Sequence, residues 1–437
     1  MAITRGNGLK TVVVLSLSLF LYVAEGHRGL ATPAAGNTVF DVTHFGAKGD
    51  GKPVYVNGDS MNGIAFMKAW QKACHCSQGP SKVVIPNGEF VVAEVIFAGR
   101  CKSQVTVELQ GNIVADPDVS QFPNHEFIVF EDVDGVTLTG HGTIDVSNQA
   151  NKSCNPHNKD ANFFNLMPTV KVYKAKNIVV EGIKSVNPST SHVMVLESQN
   201  VIIRNVKFDA KSLEPNTNSN GIYISASNQI SVSNSYIRSG ADCVTVAPGS
   251  TSVSITGLTC EAGLGISIGA QAFSAALDVK GVIVKNCTIK GSVFGARIIP
   301  RVEAKVSLIT GITFQDLIME GVQNPIFINQ QQDVLKPTQT ILAKIVDVHF
   351  KNIKGTVTTR NALTFSCSPI SPCEGIEVVD IDLNFIGTAL LGNDTIVDLS
   401  IIDKTLHGKG IGFLVNCLNA KVLFGGKHEG LSCGLLQ

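Results

Sequence analysis

The sequence predicts an all-β fold in which short β-coils stack into a solenoid. From about residue 135 onward, alternating apolar residues recur around a central Gly, Asn or Asp, and from the second copy onward the centres lie 23 to 36 residues apart. Alternation with period two is typical of strands, and no long helical pattern separates the copies. This irregular period indicates coils that bury their apolar faces against their neighbours. The eight central residues are Gly140, Gly182, Asn205, Asn234, Gly257, Asn286, Asp316 and Asn352.

The central residues favour tight bends, because glycine and asparagine tolerate left-handed backbone conformations. An antiparallel sandwich of short strands is the alternative fold, since its strands also alternate. The periodicity favours the solenoid over the sandwich.

A different pattern precedes the repeats and predicts a short N-terminal capping helix. Residues 63–74 read GIAFMKAWQKAC and place Ile64, Met67, Trp70 and Cys74 on one face at helical spacing. Such a stripe suits a helix that covers the open end of a solenoid. No linker, low-complexity tract or charge run divides the chain after residue 38, so we expect one domain over residues 38–437.

The N-terminus has the pattern of an export signal. Arg5 and Lys10 precede the apolar run TVVVLSLSLFLYV at residues 11–23, and small residues follow up to Gly26. That run is too short to span a bilayer comfortably. We therefore expect residues 1–26 to be a cleaved signal peptide and the mature protein to be secreted, without a membrane anchor. An uncleaved anchor is the alternative.

The charge balance gives no indication of a nucleic-acid partner. The 437 residues include 35 Lys and Arg and 35 Asp and Glu, so the formal net charge is zero. Binding to nucleic acid depends on neutralising phosphates with basic residues. A composition of 44% hydrophobic and 16% charged residues indicates a globular protein with a large core. We expect a monomer without a cofactor.

Eleven cysteines indicate an oxidising compartment. Their grouping suggests bridges that close short loops, although sequence does not determine connectivity and the odd number leaves at least one thiol over. A metal site is weakly indicated, because the tight group at residues 74–76 has no matching second pair of ligands, and we predict none. The suggested pairs are Cys243 with Cys260, Cys367 with Cys373, Cys417 with Cys433, and Cys101 with either Cys74 or Cys76.

Three sequons agree with export. Asn151, Asn286 and Asn393 each begin an Asn-X-Ser/Thr triplet, which is the acceptor for N-glycosylation. Asn286 is also the centre of a repeat copy, where we expect burial to hinder modification.

Three segments outside the repeat centres form motifs: FGAKGDGK at residues 45–52, VVIPNG at residues 83–88 and NPIFI at residues 324–328. With these motifs, the chain resembles the plant polygalacturonase family of glycoside hydrolases over essentially its whole mature length. The resemblance implies a right-handed parallel β-helix with a substrate groove on one face. It also implies inverting hydrolysis of the α-1,4-linked galacturonic acid chains of pectin, in the plant cell wall.

The two motifs that would carry the catalytic carboxylates are altered. Inverting hydrolysis needs a carboxylic acid at the leaving oxygen and a carboxylate that activates water. In the family these come from an Asn-Thr-Asp motif and an Asp-Asp pair. Here the resemblance aligns Asn218-Ser219-Asn220 with the first and Ala241-Asp242 with the second. An amide thus replaces the base and a methyl group the proton donor, and neither exchanges a proton near neutral pH.

Other polar positions of the family are altered as well. Gly-Leu-Gly at residues 263–265 aligns with Gly-His-Gly, so Leu264 replaces an imidazole. The family's Arg-Ile-Lys aligns with residues 297–299, which keep Arg297 but have Ile299 where an ammonium would help hold a substrate carboxylate. A tyrosine expected after the Asn-Pro-Ile run is represented by Gln332 or a near neighbour.

Asp242 is the one carboxylate retained from the catalytic set, and Asn218, Arg297 and Ile299 are the expected substrate-binding positions. Each also has a structural interpretation. Asp242 could close a coil through hydrogen bonds, Arg297 could pack in the groove, and Asn218 and Asn220 could satisfy their own turns.

A second Gly-His-Gly, at residues 140–142, lies in a different coil, and we interpret His141 as a turn or surface residue. A displaced catalytic pair would have to recruit Glu214 or Glu261, the carboxylates near the altered motifs. A positioned acid or base contributes about 10²- to 10⁴-fold, so loss of both predicts an inactive or severely impaired protein.

The sequence therefore predicts a secreted, polygalacturonase-like protein of the plant cell wall that binds pectic galacturonan without cleaving it. One alternative is an active pectin-degrading glycosidase with a displaced carboxylate pair. The other is a scaffold whose partner is a protein.

Overall fold

Successive coils of the chain stack to form two large β-sheets in the computed structural model of this protein. The described residues are 38–146, 167–210, 219–270, 278–300, 307–330, 343–391, 395–398, 413–428 and 430–433. Residues 37–437 form one compact unit. The predicted signal peptide, Asn151, Asn393, Asn218, Gln332 and Glu214 lie outside the described residues.

In the part of the chain that the structure describes, the first sheet has 21 strands and the second has 11. The first comprises β1 (Thr38–Asp41), β4 (Ser81–Ile85), β5 (Glu89–Val92), β7 (Val105–Leu109), β8 (Asn112–Ala115), β10 (Asp134–Gly140), β11 (Thr143–Asp145), β13 (Lys176–Glu181), β14 (Lys184–Val186), β16 (Gln199–Arg204), β17 (Lys207–Asp209), β19 (Asn228–Ser233), β20 (Tyr236–Arg238), β22 (Thr251–Thr256), β23 (Thr259–Glu261), β25 (Val279–Lys285), β26 (Thr288–Lys290), β28 (Leu308–Val322), β30 (Lys344–Val357), β32 (Cys373–Phe385) and β36 (Ala420–Gly425). The second comprises β6 (Val95–Ala98), β9 (Ile128–Glu131), β12 (Val170–Tyr173), β15 (Ser191–Leu196), β18 (Asn220–Ser225), β21 (Val244–Val246), β24 (Ile266–Ile268), β27 (Phe294–Ile298), β29 (Asn324–Asn329), β31 (Asn361–Ser366) and β35 (Leu414–Leu418).

Small elements complete the described structure. They are the antiparallel pairs β2 (Tyr55–Val56) with β3 (Asp59–Ser60) and β33 (Thr388–Leu391) with β34 (Thr395–Asp398), the helix α1 (Met61–Gln71), and 3₁₀ helices at Val42–Phe45 and Val119–Gln121.

Strands of successive coils pair in parallel in both large sheets. The antiparallel sandwich is therefore wrong, and the fold is the right-handed parallel β-helix that the resemblance implies. Side chains at matching register positions lie above one another along the stack. Each coil consequently covers the apolar face of the next.

The predicted bends are confirmed at all eight repeat centres. Their φ angles are positive and run from 49° at Asn234 to 130° at Gly140. Each of these residues bends the chain between or within strands of the first sheet. Asp316, for example, lies inside β28. Left-handed backbone is accessible to glycine and is tolerated by asparagine and aspartate, which explains the residue types found there.

One continuous apolar core runs along the inside of the coils. It is built from inward columns at equivalent register positions, and the rings of Phe314 and Phe350 stack in one of them with centroids 5.5 Å apart. Burial of such columns supplies most of the stabilisation, at about 25 cal/mol per Å² of apolar surface. A representative column is Val136, Ile178, Val201, Ile230, Val253, Val282, Ile312, Val348 and Ile376, all buried.

The helix α1 packs against the first coils, but its buried face differs from the predicted stripe. Trp70 is buried, and its ring lies 4.9 Å from that of Phe97 while its Nε1 donates to the Ala98 carbonyl at 3.1 Å. Met67 is 37% exposed, however, and Ile64 is only half-buried. The buried face is rotated from the predicted stripe, so that Ala65, Phe66 and Ala69 pack inward beside Trp70 while Met67 faces solvent. The buried residues of α1 are Asn62, Gly63, Ala65, Phe66, Ala69 and Trp70.

Four disulfides close short loops, in the pairs that the grouping suggested. Cys101 is bonded to Cys74 rather than to Cys76, and Cys74 lies within the π-helical turn Lys72–Cys76 that follows α1. Among the described cysteines, Cys76 is free and exposed and Cys287 is free and buried. The other three bridges are Cys243–Cys260, Cys367–Cys373 and Cys417–Cys433.

The expectation that Asn286 is buried is wrong. Its side chain is exposed, because the left-handed bend turns it away from the core while the adjacent Cys287 points inward. Within the described residues, no helix has the length and apolarity needed to cross a membrane.

A buried histidine interrupts the apolar interior. His192 is the second residue of β15 and is fully buried, with its ring stacked on Phe208 at a centroid distance of 4.9 Å. Its Nδ1 lies 2.8 Å from the Ser185 hydroxyl, and its Nε2 has no hydrogen-bond partner in the described part of the chain. Burial lowers the pKa of His192 to about 3, so the ring is neutral at physiological pH.

We expect His192 to weaken the protein at acid pH. Its pKa is about 3 when folded and 6.5 ordinarily, so its contribution to stability is complete above pH 6.5 and falls toward pH 3. The slope is about 1.4 kcal/mol per pH unit. In His192→Phe, which keeps the stack on Phe208, stability relative to the original protein should rise as pH falls from 6.5 to 4. Urea unfolding across that range measures the difference, and a pH-independent difference would contradict the assignment.

A substitution at Gly140 tests how closely adjacent coils approach one another. A Cβ there would lie 2.0 Å from the carbonyl oxygen of Leu109, and the φ of 130° adds strain. Gly140→Ala should therefore lower the free energy of unfolding by about 3 kcal/mol. Gly58 has a φ of 95° and no atom within 4 Å of such a Cβ, so Gly58→Ala should cost only about 1 kcal/mol. Equal losses in chemical denaturation would argue against the clash.

Candidate functional site

Most of the predicted site residues lie in two rows on the outer face of the second sheet. Ile222 and Val244 are buried in the core, so alternation along the strands turns Tyr223 and Thr245 outward. Asp242 lies on the same side, because its carboxylate bonds to Thr245 and Ser267. The first row contains Ser191, Asn220, Asp242, Leu264, Phe294 and Asn324, one from each successive coil. The second contains Met194, Tyr223, Thr245, Ser267, Arg297 and Phe327.

Asp242 is bonded from within the protein on both carboxylate oxygens. Thr245 Oγ1 donates to Oδ2 at 2.9 Å, and Ser267 Oγ donates to Oδ1 at 2.6 Å. The guanidinium Nη1 of Arg297 lies 3.4 Å from Oδ1. Burial raises the pKa of Asp242, and Arg297 and the two hydroxyls oppose that shift by stabilising the charged form. Thr245 lies in the same coil as Asp242, whereas Ser267 and Arg297 lie in the next two, so the carboxylate joins three coils.

Arg297 is held on several sides by the same group of residues. Its Nη1 also lies 3.5 Å from the Ser267 hydroxyl, and its guanidinium carbon lies 4.4 Å from the centre of the Phe294 ring. Its side chain is 15% exposed. Burial lowers the pKa of Arg297 from its usual value, with Asp242 opposing the shift. The Nε atom is buried and has no hydrogen-bond partner among the described residues.

The side chain of Asn220 is hydrogen-bonded to the backbone of the altered Asp-Asp motif at Ala241-Asp242. Its Oδ1 accepts a hydrogen bond from the backbone N–H of Asp242 at 3.1 Å, and the Ser219 hydroxyl accepts one from Gly240 N–H at 3.2 Å. The N–H of Ala241 also donates to the Ser219 carbonyl, at 2.9 Å. The amide oxygen thus accepts from the backbone of the next coil, and Asn220 begins strand β18, so the interpretation that Asn220 satisfies its own turn is wrong.

The remaining altered positions present apolar side chains nearby. Leu264 N–H donates to the Ala241 carbonyl at 2.9 Å, which places the two residues side by side, and both are partly exposed. Ile299 N–H donates to the Ile268 carbonyl at 2.9 Å, and its side chain is also partly exposed. The structure therefore brings Asn220, Ala241, Asp242, Leu264 and Arg297 together, with Ile299 at the edge.

Four contributors to the site were missed from the sequence: Thr245, Ser267, Phe294 and Phe327. The first three each lie three residues from a predicted site position, because the two outward rows are three residues apart along the chain. That spacing is the signal that could have found them. Phe327 lies opposite Arg297 in the next coil, and its ring centre lies 4.7 Å from that of Phe294.

Two other sequence candidates lie apart from the rows. Glu261 belongs to the first sheet between Arg238 and Lys290, and its Oε2 accepts from the Tyr236 hydroxyl at 2.9 Å. His141 is exposed in the turn after β10, in agreement with its interpretation as a surface residue.

Within the described part of the rows, Asp242 is the sole carboxylate and Arg297 the sole basic residue. An inverting hydrolase needs two carboxyl groups with a water between them. The described residues also contain no group of three or more His, Cys, Asp or Glu side chains that could hold a metal ion. The arrangement offers an internal ion pair, amide and hydroxyl groups, and a partly exposed apolar surface.

Comparison with known proteins identifies the class to which this β-helix belongs. Residues 75–396 match the family described as glycosyl hydrolases family 28. An exopolygalacturonase of Arabidopsis thaliana is 36% identical over 405 residues, which cover 92% of this chain and 89% of that protein. An exopolygalacturonase of Platanus acerifolia is 33% identical over 381 residues, covering 86% and 97%.

Among solved structures, the endo-xylogalacturonan hydrolase of Aspergillus tubingensis has the same fold. It matches with a TM-score of 0.66 at 19% identity, over 80% of this chain and 93% of that one. The chain therefore belongs to glycosyl hydrolase family 28.

Removing one partner of the ion pair between Asp242 and Arg297 should lower the free energy of unfolding. In Asp242→Asn the largely buried guanidinium of Arg297 loses its counter-charge, and we expect a loss of about 2 kcal/mol, limited by the partial exposure of Arg297. The double variant Asp242→Asn/Arg297→Met should lose less than the sum of the two single variants, because it leaves no unpaired charge. Urea unfolding at pH 7 measures all four proteins. Strict additivity would contradict a direct pairing.

Proposed function

We propose that this protein binds pectic galacturonan on the outer face of the second sheet without hydrolysing it, after export to the plant cell wall. The observation that carries the proposal is how the polar groups at the two altered motifs are bonded. Asp242 is bonded internally on both oxygens, and the amide oxygen of Asn220 is bonded to the Asp242 backbone. Neither group is arranged as a member of an acid/base pair.

The chemistry of hydrolysis supports the absence of turnover. One group must protonate the leaving oxygen while another deprotonates water, and a single carboxylate cannot do both in one step. Ala241 and Leu264 add no ionisable group beside Asp242. Removing cooperating catalytic groups leaves only the smaller contribution of substrate positioning.

Retention of binding is supported by the family and by the preserved stack of coils. The relatives named as polygalacturonases match over most of this chain, and the outward rows remain aligned across six coils. Binding needs shape and a few polar contacts rather than an acid and a base. The predicted signal peptide supports delivery to the wall.

An active enzyme with a displaced carboxylate is less well supported. Glu261 lies on the first sheet and is bonded to Tyr236. It would have to leave that partner to reach a ligand on the second sheet.

The test combines a reducing-end assay with a binding measurement. The purified secreted protein should release no reducing ends from polygalacturonic acid between pH 4 and 7, in an assay that detects an active polygalacturonase. Isothermal calorimetry should nevertheless detect binding of oligogalacturonides, as acids or esters. The variant Asn220→Asp/Ala241→Asp/Leu264→His should gain measurable release, and Asn205→Asp, an equivalent change at an exposed bend, should not.

Turnover by the unaltered protein would contradict the proposal. If Glu261→Gln then abolished that turnover, the displaced pair would be the correct explanation. If the protein neither released reducing ends nor bound any oligogalacturonide, the binding function would be contradicted.

A further inference from the structure

We propose that the second sheet around Leu264, Phe294 and Phe327 recognises galacturonan whose carboxyl groups are methyl-esterified in preference to the free acid. This inference rests on the proposed binding function, and it adds the chemical form of the ligand. It follows from two independent features of the outer face, namely its paired charges and its apolar surface.

The first feature is that the strands of the second sheet offer no unpaired basic side chain in their described residues. Across the eleven strands, the basic residues are Lys171 and Arg297, apart from the neutral, buried His192. Lys171 forms an ion pair with Glu126, and Arg297 forms one with Asp242. A free galacturonate carboxylate needs a cation or several donors to replace its water.

Arg297 is a poor candidate to supply that cation. Its Nη1 contacts Asp242 and Ser267, and its guanidinium covers the ring of Phe294. A ligand carboxylate that drew Arg297 away would leave the Asp242 carboxylate buried without its counter-charge. Ile299 stands where the family resemblance implies an ammonium, so the chain offers no second cation at that position.

The second feature is a partly exposed apolar surface beside the ion pair. Phe294 and Phe327 pack with ring centres 4.7 Å apart, and the register of β24 with β27 places Leu264 in the adjoining coil next to Phe294. All three side chains are partly exposed, as is that of Ile299. A surface of this kind accepts an ester methyl group or the C–H face of a sugar, and it disfavours a carboxylate that would lose water without gaining a partner.

The experiment is calorimetry at pH 7 with two oligogalacturonides of equal length, one fully methyl-esterified and one in the acid form. The esterified oligomer should bind at least about tenfold more tightly. Equal affinity, or tighter binding of the acid, would overturn this inference and leave the binding function standing. Failure of both oligomers to bind would instead overturn the binding function itself.

Matched variants locate the preference on this surface. Ile299→Lys restores an ammonium at the edge of the rows and should strengthen binding of the acid form, which reduces the ratio of affinities by about tenfold. Ile283→Lys makes the same change on the first sheet, where Ile283 is 46% exposed, and should leave the ratio unchanged. Phe327→Ala should weaken binding of the ester more than that of the acid. Thermal unfolding confirms that each variant is folded.

If Ile299→Lys and Phe327→Ala both left the ratio as it was, the assignment to this surface would be wrong. An equal shift in Ile283→Lys would show that total protein charge, rather than this surface, controls the preference.

Discussion

The parallel register between successive coils is the constraint on which the rest of this structure depends. Because each strand pairs in register with its equivalent in the next coil, residues that are 22 to 30 positions apart in sequence become direct neighbours, as in Asn220, Asp242, Leu264 and Phe294. The same register stacks the inward side chains into a continuous core. A substitution therefore affects the coils above and below it as much as its own segment.

At the candidate site, this register joins polar side chains of three coils. Asp242 receives hydrogen bonds from Thr245 and Ser267 and the charge of Arg297, and these partners come from successive coils. Such a buried pair contributes little net stability once desolvation is counted, but its removal on one side is costly. The retained polar residues thus stabilise the shape of the face that the altered residues make apolar.

Two contacts at the corner between the sheets join similar strand positions by different chemistry. His192 reaches Ser185 by a hydrogen bond, and Cys243 reaches Cys260 by a disulfide. Both link the start of a second-sheet strand to a short strand of the first sheet. The two second-sheet positions are two coils apart in the stack, and Ser185 and Cys260 are three coils apart. The corner between the sheets therefore tolerates polar or covalent links, with His192 uncharged because it is fully buried.

The sequence by itself determined the stacked coils, their bends, the helix near the N-terminus and the altered motifs, because these depend on local periodicity, backbone preference and residue type. It did not determine which face of α1 is buried, since apolar residues occur on more than one side of the helix and the packing against the first coils selects Phe66 over Met67, nor the exposure of Asn286, which depends on a left-handed bend. Only the tertiary structure decided that Asp242 is bonded to Thr245, Ser267 and Arg297, and that Phe294 lies beside Phe327. The physical reason is that these contacts, apart from the local Asp242–Thr245 bond, join different coils, and the register that brings the coils together is set by packing along the whole stack rather than by any one segment.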